Sequence, residues 1–274
     1  MPASPLGRVL VIAGSDSGGG AGIQADLKTV MALGGYAQTA ITALTAQNTN
    51  GVHAVMPVPP DFIRAQIRAA LDDIGADVIK TGMLGDAATI AAICAELPDL
   101  PLVVDPVMIA KGGASLLAQT ALATLRSGLL PRATLLTPNL PEAEALTGRT
   151  IDSEATMRAA LDDLLHLGAQ AVLLKGGHLP GDDLVDLLAT GQGVTAWRSQ
   201  RIATRHTHGT GCTLASAIAT GLSQGMALVD AVIRARAHVR RAILAAPGLG
   251  RGHGPLGVVP AITSRGCFRP DDLV

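Results

Sequence analysis

Aromatic side chains are nearly missing from this 274-residue chain: Phe62, Phe268, Tyr36 and Trp197 are the whole set. Without stacking platforms, recognition of RNA or single-stranded DNA is excluded as a working hypothesis. Charge of one sign is also lacking. Lys plus Arg is 21 and Asp plus Glu is 22, so there is no electrostatic footprint for nucleic acid or an anionic membrane. Cysteine is scarce, and Cys94, Cys212 and Cys267 are too far apart for a disulfide framework or a C-x-x-C pair, which fits a reducing compartment. Although 48% of the residues are apolar, they come in short runs of Ala, Val, Leu and Ile. None approaches the ~18 uninterrupted apolar residues of a membrane span. Residues 1–7 lack the cationic and apolar regions of a secretory signal. The expectation is a soluble, cytoplasmic protein with no nucleic-acid or membrane partner.

What is present is an alternation of short apolar runs and helical stripes. Arg8 to Ala13 reads as a strand, followed by the loop Gly14-Ser-Asp-Ser-Gly-Gly-Gly-Ala-Gly22 and a stripe at Ile23, Leu27, Val30 and Met31. Ala37 to Thr45 reads as a buried strand running into a polar loop, Ala46 to Gly51. Val52 to Val58 is a short β element, and Pro59-Pro60 opens a helix carrying Ile63, Ile67, Leu71 and Ile74. Asp77 to Thr81 is the next strand, and Asp86 caps a helix with Cys94 on its apolar side. Pro101 to Val104, Thr134 to Thr137 and Ala171 to Leu174 follow as strands, with helices from Leu116 toward Leu130 and around Met157 to Leu165. Two antiparallel strands, Asp183 to Leu188 and Gly193 to Arg198, precede the last two helices. In the final helix Arg234, Arg240 and Arg241 lie off the apolar stripe and are expected on a solvated face.

This order predicts an α/β fold with a mainly parallel sheet, helices on both faces and some antiparallel edge strands. The expected organisation is a lead over 1–7, one domain over 8–259 and a tail over 260–274. In such a sheet ligands sit beyond the strands' carboxyl ends. Gly14, Gln47, Met83, Asp105, Asn139 and Lys175 all fall there.

The richest stretch is His206-Thr-His-Gly-Thr-Gly-Cys-Thr213, a glycine turn opening a helix with Leu214, Ile218 and Leu222. Free N–H groups and the helix dipole suit an anion there, and the same field is expected to lower the pKa of Cys212. The plainer reading is a flexible turn with a small buried Cys. The first glycine loop is neither G-x-G-x-x-G nor a Walker motif, so nicotinamide and P-loop chemistry lose support. Asp105 could orient a cation or cap a loop. Asn139 and Glu142 suit either water-held Mg²⁺ or a helix cap. Lys175 is a candidate phosphate ligand or the solvated end of an edge strand.

The segments Gly14 to Lys28, Ile41 to Thr49, Lys80 to Leu84, Thr137 to Ala143, Leu174 to His178 and Thr207 to Thr213, in this order, resemble the hydroxymethylpyrimidine/phosphomethylpyrimidine kinases of thiamine biosynthesis, within the ribokinase-like superfamily. The resemblance implies ATP-dependent phosphorylation of 4-amino-5-hydroxymethyl-2-methylpyrimidine and then of its monophosphate. It implies that Gly209, Thr210, Gly211 and Cys212 form the anion hole, with Cys212 where related sugar kinases carry an Asp base. Lys175, Asn139 and Thr207 would serve ATP and its phosphates. Asp105 and Glu142 would organise Mg²⁺, and Gly14, Gln47, Met83 and Val107 would surround the pyrimidine. A homodimer is a family expectation. Some members carry Glu where this chain has Gln47, and an amide would also suit the ring of pyridoxine, so a pyridoxine or pyridoxal kinase is the alternative. Two readings of another kind are a Cys212-nucleophile hydrolase or acyltransferase with His206 or His208 as base, and a zinc site of His206, His208 and Cys212.

Overall fold

Arg8–Ala13 and Leu102–Val104 are apolar at nearly every position, a pattern that only a strand covered on both faces can bury. In the computed structural model, which describes residues 6–108, 116–118 and 120–258, they are inner strands of an eight-stranded sheet. The elements run β1 (Arg8–Ala13), α1 (Gly22–Ala32), β2 (Tyr36–Ile41), β3 (Ala43–Asn48), β4 (Gly51–Pro57), α2 (Pro60–Asp73), β5 (Val78–Thr81), α3 (Ala87–Glu96) and β6 (Leu102–Val104). They continue as α4 (Ala121–Thr124), β7 (Leu135–Leu136), α5 (Leu140–Thr147), α6 (Glu154–His166), β8 (Val172–Lys175), β9 (Asp183–Thr190), β10 (Gly193–Gln200), α7 (Thr210–Ser223) and α8 (Leu228–Leu244). The sheet order is β10-β9-β8-β7-β6-β5-β1-β2; pairing is parallel from β2 to β8 and antiparallel at β9 and β10.

Strand alternation divides the core into two layers. Leu10, Ile12, Ile79, Val104, Leu136 and Leu174 pack under α2, α3, α5 and α6, whereas Val9, Val11, Val78, Val103, Leu135 and Leu173 pack under α1, α7 and α8. Because every parallel strand ends at the same edge, the loops after β1, β5, β6, β7 and β8 converge there. Cys94 is half-buried against the first layer, and burial raises its thiol pKa, as suits a core residue.

Several expectations from the sequence are corrected. The run Ala37 to Thr45 is two strands: β2 ends at Ile41, and β3 leaves the sheet to form a two-stranded antiparallel ribbon with β4. Thr42 makes the break. Its N–H donates to Ala13 O at 3.0 Å, its hydroxyl donates to Met83 O at 2.7 Å, and its carbonyl accepts from Val58 N at 2.9 Å. Gln47 and Asn48 are therefore the last residues of a strand, not a loop. Leu116 to Ala118 is not helical, because its N–H groups bond to Met108 O and Gly85 O; the helix starts at Ala121 and passes through a π-helical turn, Leu125–Leu129. Arg234 is half-buried, not solvated: Gly221 leaves room for its guanidinium against α7, where Nη1 donates to Gln224 Oε1 at 2.7 Å. Arg240 and Arg241 are exposed as expected. The stretch Lys111-Gly112-Gly113 and the tail after Pro260, with Cys267, lie outside the described residues.

One interaction crosses the layer of α1 and α7. Lys80 on β5 is fully buried, and its ammonium donates to both oxygens of Asp26 on α1 at 3.0 and 2.9 Å. Ser216 on α7 donates to Asp26 Oδ1 at 2.6 Å. Burial alone would discharge Lys80, yet Asp26 outweighs it and holds the ammonium above the ordinary lysine value. We expect Lys80→Met to destabilise the fold by about 3–5 kcal/mol in urea denaturation, because a buried carboxylate is left unpaired. Adding Asp26→Leu to Lys80→Met should recover most of that loss; no recovery would mean that Lys80 acts through packing alone.

Candidate active site

The turn into α7 is held by a steric constraint. Gly209 has φ 84°, and a Cβ there would collide with the carbonyl oxygen of Gly20 in the loop after β1. The first helical bond runs from Thr213 N to Gly209 O at 2.9 Å, so the N–H groups of Gly211 and Cys212 have no acceptor within the helix. Thr210 N is tied back to Thr207 O by a long contact of 3.4 Å. Two free amides at the positive end of a 14-residue helix make an anion site.

Charged groups meet at the same point. Lys175, at the end of β8, donates to Asp105 Oδ1 at 3.0 Å, and Thr137 Oγ1 donates to the same oxygen at 3.2 Å. A Cβ built on Gly211 would lie 3.4 Å from Lys175 Nζ and 3.5 Å from Asp105 Oδ2, in contact with both, which puts the start of α7 against the Lys175–Asp105 pair. Burial works against the Lys175 charge, but Asp105 and Glu142 outweigh it and raise its pKa. Asn139 and Glu142 form the capping box of α5: Glu142 N donates to Asn139 Oδ1 at 2.9 Å and Asn139 N donates to Glu142 Oε2 at 2.8 Å. The cap does not exhaust the pair's chemistry. Burial, with Asp105 adding repulsion, pushes Glu142 up to about 7 against the pull of Lys175. Two carboxylates crowded in this way fit a cation held with phosphate oxygens and water.

Cys212 departs from expectation. Burial pushes its thiol up to about 12; Lys80 pulls it down, while Asp26 and Asp105 push it further up. The helix terminus does not prevail, because burial and the two carboxylates outweigh the cationic pull on the thiol. No histidine is among the groups that act on it. His208 is committed elsewhere, and among the described residues no three His, Cys, Asp or Glu side chains come together to hold a metal ion. Neither the cysteine-nucleophile reading nor the zinc reading keeps its geometry.

The other side of the edge is built from the loop after β1 and the ribbon. A Cβ on Gly14 would lie 3.0 Å from Met83 Sδ and 3.7 Å from Ala43 O, which brings Gly14, Met83 and the start of β3 together. Val107 shares a small recess with Gly82, Leu84 and Asp105. The Gln47 amide lies 3.2 Å from His208 Nε2 and 3.2 Å from Thr45 Oγ1. His208 Nε2 is also 2.8 Å from Asp16 Oδ2, and Asp16 accepts from the backbone of Gly18, Gly20 and Ala21. Asp16, Asp26, Lys80 and Ser216 were not singled out by the sequence, and His208 was singled out only as a base or zinc ligand for Cys212. The one available hint was a lysine inside an otherwise apolar strand, which requires a buried partner. A strap after α8 backs this side: His253 N donates to Thr49 O at 2.8 Å, and His208 N donates to Gly254 O at 3.2 Å.

Comparison with known proteins gives the family and the fold. The family model for phosphomethylpyrimidine kinase matches residues 16–257. The thiamine biosynthesis bifunctional protein ThiED of Geobacter sulfurreducens is 54% identical over 255 residues, covering 92% of this chain and 52% of that protein, so the chain spans about half of its length. A hydroxymethylpyrimidine/phosphomethylpyrimidine kinase of Streptomyces coelicolor is 50% identical over 250 residues, covering 90% of this chain and 93% of the relative. The ADP complex of Bacillus subtilis pyridoxal kinase superposes with a TM-score of 0.86 at 37% identity, covering 93% of this chain and 98% of that one. The fold is ribokinase-like and the chemistry is that of an ATP-dependent kinase. With the α7 turn, the Lys175–Asp105 pair and the matched span considered together, the chain belongs to the phosphomethylpyrimidine kinase family.

Proposed function

We propose that the chain transfers the γ-phosphoryl group of ATP to the hydroxymethyl group of 4-amino-5-hydroxymethyl-2-methylpyrimidine, and then a second one to the resulting monophosphate, in thiamine biosynthesis. The observation that carries this reading is the meeting of two free amides, of Gly211 and Cys212, with the Lys175 ammonium on the sheet edge that also carries Gly14, Met83 and Gln47. In this reading Gly209 to Cys212 and Lys175 stabilise charge on the transferring group, and Gly14, Gln47, Met83 and Val107 hold the ring. Phosphoryl transfer asks mainly for such positioning and charge stabilisation. Asn139, whose oxygen caps α5, keeps its amide nitrogen for the nucleotide phosphates, with Thr207 beside the turn. Asp105 and Glu142 would hold Mg²⁺, largely through water. The ion would neutralise charge on the phosphates.

The second phosphorylation needs no new machinery in this account. A phosphate oxygen presented where the alcohol stood meets the same anion site and the same Lys175. The likeness to pyridoxal kinase and the neutral Gln47 amide favour pyridoxine as the one competing acceptor. A second copy of the chain is the proposed partner, covering the ribbon face where Leu44 pairs across from Met56 with both side chains exposed. No helix among the described residues is long and apolar enough to cross a membrane, and we place the enzyme in the cytoplasm.

Three measurements test this. Mass spectrometry with Mg-ATP and the two acceptors in competition should yield pyrimidine mono- and diphosphate; phosphorylated pyridoxine alone would overturn the acceptor assignment. If the Cys212 thiolate takes the alcohol's proton, a pKa of about 12 makes the single-turnover rate rise by about tenfold per pH unit from pH 6 to 9. Cys212→Ala should flatten that slope and lower the rate while leaving ATP affinity unchanged, and a wild-type rate in the variant would remove Cys212 as base. Glu142 with a pKa of about 7 is mostly protonated at pH 6, so it must lose its proton to hold a cation. Calorimetric binding of Mg²⁺ with a non-hydrolysable ATP analogue should release about one proton more in the wild type than in Glu142→Gln at pH 6, and the difference should vanish by pH 8. Equal release by both proteins would take Glu142 out of the metal site.

A further inference from the structure

His208 stands between the two halves of the edge. It is 9% exposed, immediately precedes the Gly209 turn, and is clamped from behind by Gly254 and Pro255 of the strap. Burial works against the Asp16 charge, but hydrogen bonds from His208, Gly18 and Ala21 prevail and hold its carboxyl below the ordinary value. Asp16 is therefore a pure acceptor, and His208 Nε2, at 2.8 Å, must carry a hydrogen directed at it. A ring nitrogen whose hydrogen is used in this way has no lone pair for a second donor. The Gln47 group beside it must then be the amide oxygen.

The other end of the amide gives the same answer independently. Thr45 Oγ1 has one hydrogen, and its 2.8 Å contact with the Ser15 carbonyl takes it, because a carbonyl can only accept. As placed, Gln47 Oε1 lies 3.2 Å from Thr45 Oγ1 and Nε2 lies 3.2 Å from His208 Nε2, but Thr45 can only accept toward Gln47, so the amide turns about its terminal torsion to bring its NH₂ to Thr45. With the terminal torsion set so that oxygen faces His208 and nitrogen faces Thr45, the Nε2 hydrogen points at Asp16 with the Gln47 oxygen as a second, longer acceptor, the amide donates to Thr45, Thr45 donates to Ser15, and no two donors face each other. The reverse setting leaves two donors facing each other at His208. One N–H and one oxygen lone pair of Gln47 remain over, and their positions are fixed.

We propose that His208 is a positioning and specificity-determining residue of the acceptor site, which with Thr45 locks the Gln47 amide in one orientation and so determines which ring presents the matching donor and acceptor. The inference rests on the proposed placement of the acceptor beside Gln47. Because His208 also leads into Gly209, the lock ties ring recognition to the anion turn.

The test measures KM for the hydroxymethylpyrimidine and for MgATP, and the preference for that acceptor over pyridoxine, in His208→Leu, Thr45→Val, Gln47→Ala and the pairwise doubles. His208→Leu and Thr45→Val should each raise the acceptor KM by about tenfold and reduce the preference by a similar factor, as expected for a half-buried amide left free to turn. The MgATP KM should stay within about twofold, and each double with Gln47→Ala should be no worse than Gln47→Ala alone within about twofold. His208→Gln, which can set an N–H near the place of Nε2, should restore most of the preference. Thr45→Val exchanges a hydroxyl for a methyl and carries the same test if His208→Leu does not fold. Multiplicative effects in the doubles would overturn the lock while leaving the acceptor at Gln47. An unchanged acceptor KM in Gln47→Ala would overturn both.

Discussion

A lysine that never meets water organises this molecule. Lys80 sits in the middle of the sheet edge, and its charge is tolerable only because Asp26 from α1 and Ser216 from α7 close around it. Three elements far apart in sequence are thereby fixed at one point beneath the α7 turn. Hydrophobic burial would hold these helices against the sheet in many slightly shifted positions, whereas an ion pair with three hydrogen bonds accepts few. The position of Gly211 and Cys212, on which the proposed phosphate binding depends, follows from that restriction.

The same buried field sets the chemistry above it. Asp26, Asp105 and Glu142 all bear on a small volume, and Lys80 and Lys175 compensate them incompletely. Burial first, and the neighbouring carboxylates second, keep the Cys212 thiol neutral and hold Glu142 near half protonation at pH 7. In the proposed reaction a nucleotide with a divalent ion would change this balance in both directions at once, bringing anionic phosphate to the lysines and a cation to the carboxylates.

Much of this was legible in the chain itself. The apolar runs named nearly every parallel strand, and the glycine turn before Leu214 marked the start of α7, because both signals are local. The break between β2 and β3 was not legible: Thr42 continues a β-like pattern, and only its bonds to Ala13 and Met83 reveal that the chain turns out of the sheet. The Cys212 thiol was misjudged because a helix terminus is visible in sequence, while the Lys80–Asp26 pair beneath it joins residues 54 apart. The Gln47 lock was hidden for the same reason, since His208 lies 161 residues away. The capping box at Asn139 was foreseen as one of two roles, and a cap does not stop its members from facing a ligand.

The strap after α8 ties the acceptor side to a part of the chain made late. Gly252 reaches back 203 residues to Thr49, and Pro255 rests against both His208 and Gly20. Synthesis runs from the amino end, so the glycine loop and ribbon leave the ribosome long before the segment that braces them. A nascent chain therefore has no finished ring site, and the small molecule it will later bind cannot stabilise it by mass action during synthesis. The acceptor can protect only the finished enzyme, which makes the vitamin precursor a guardian of mature protein and not of its birth.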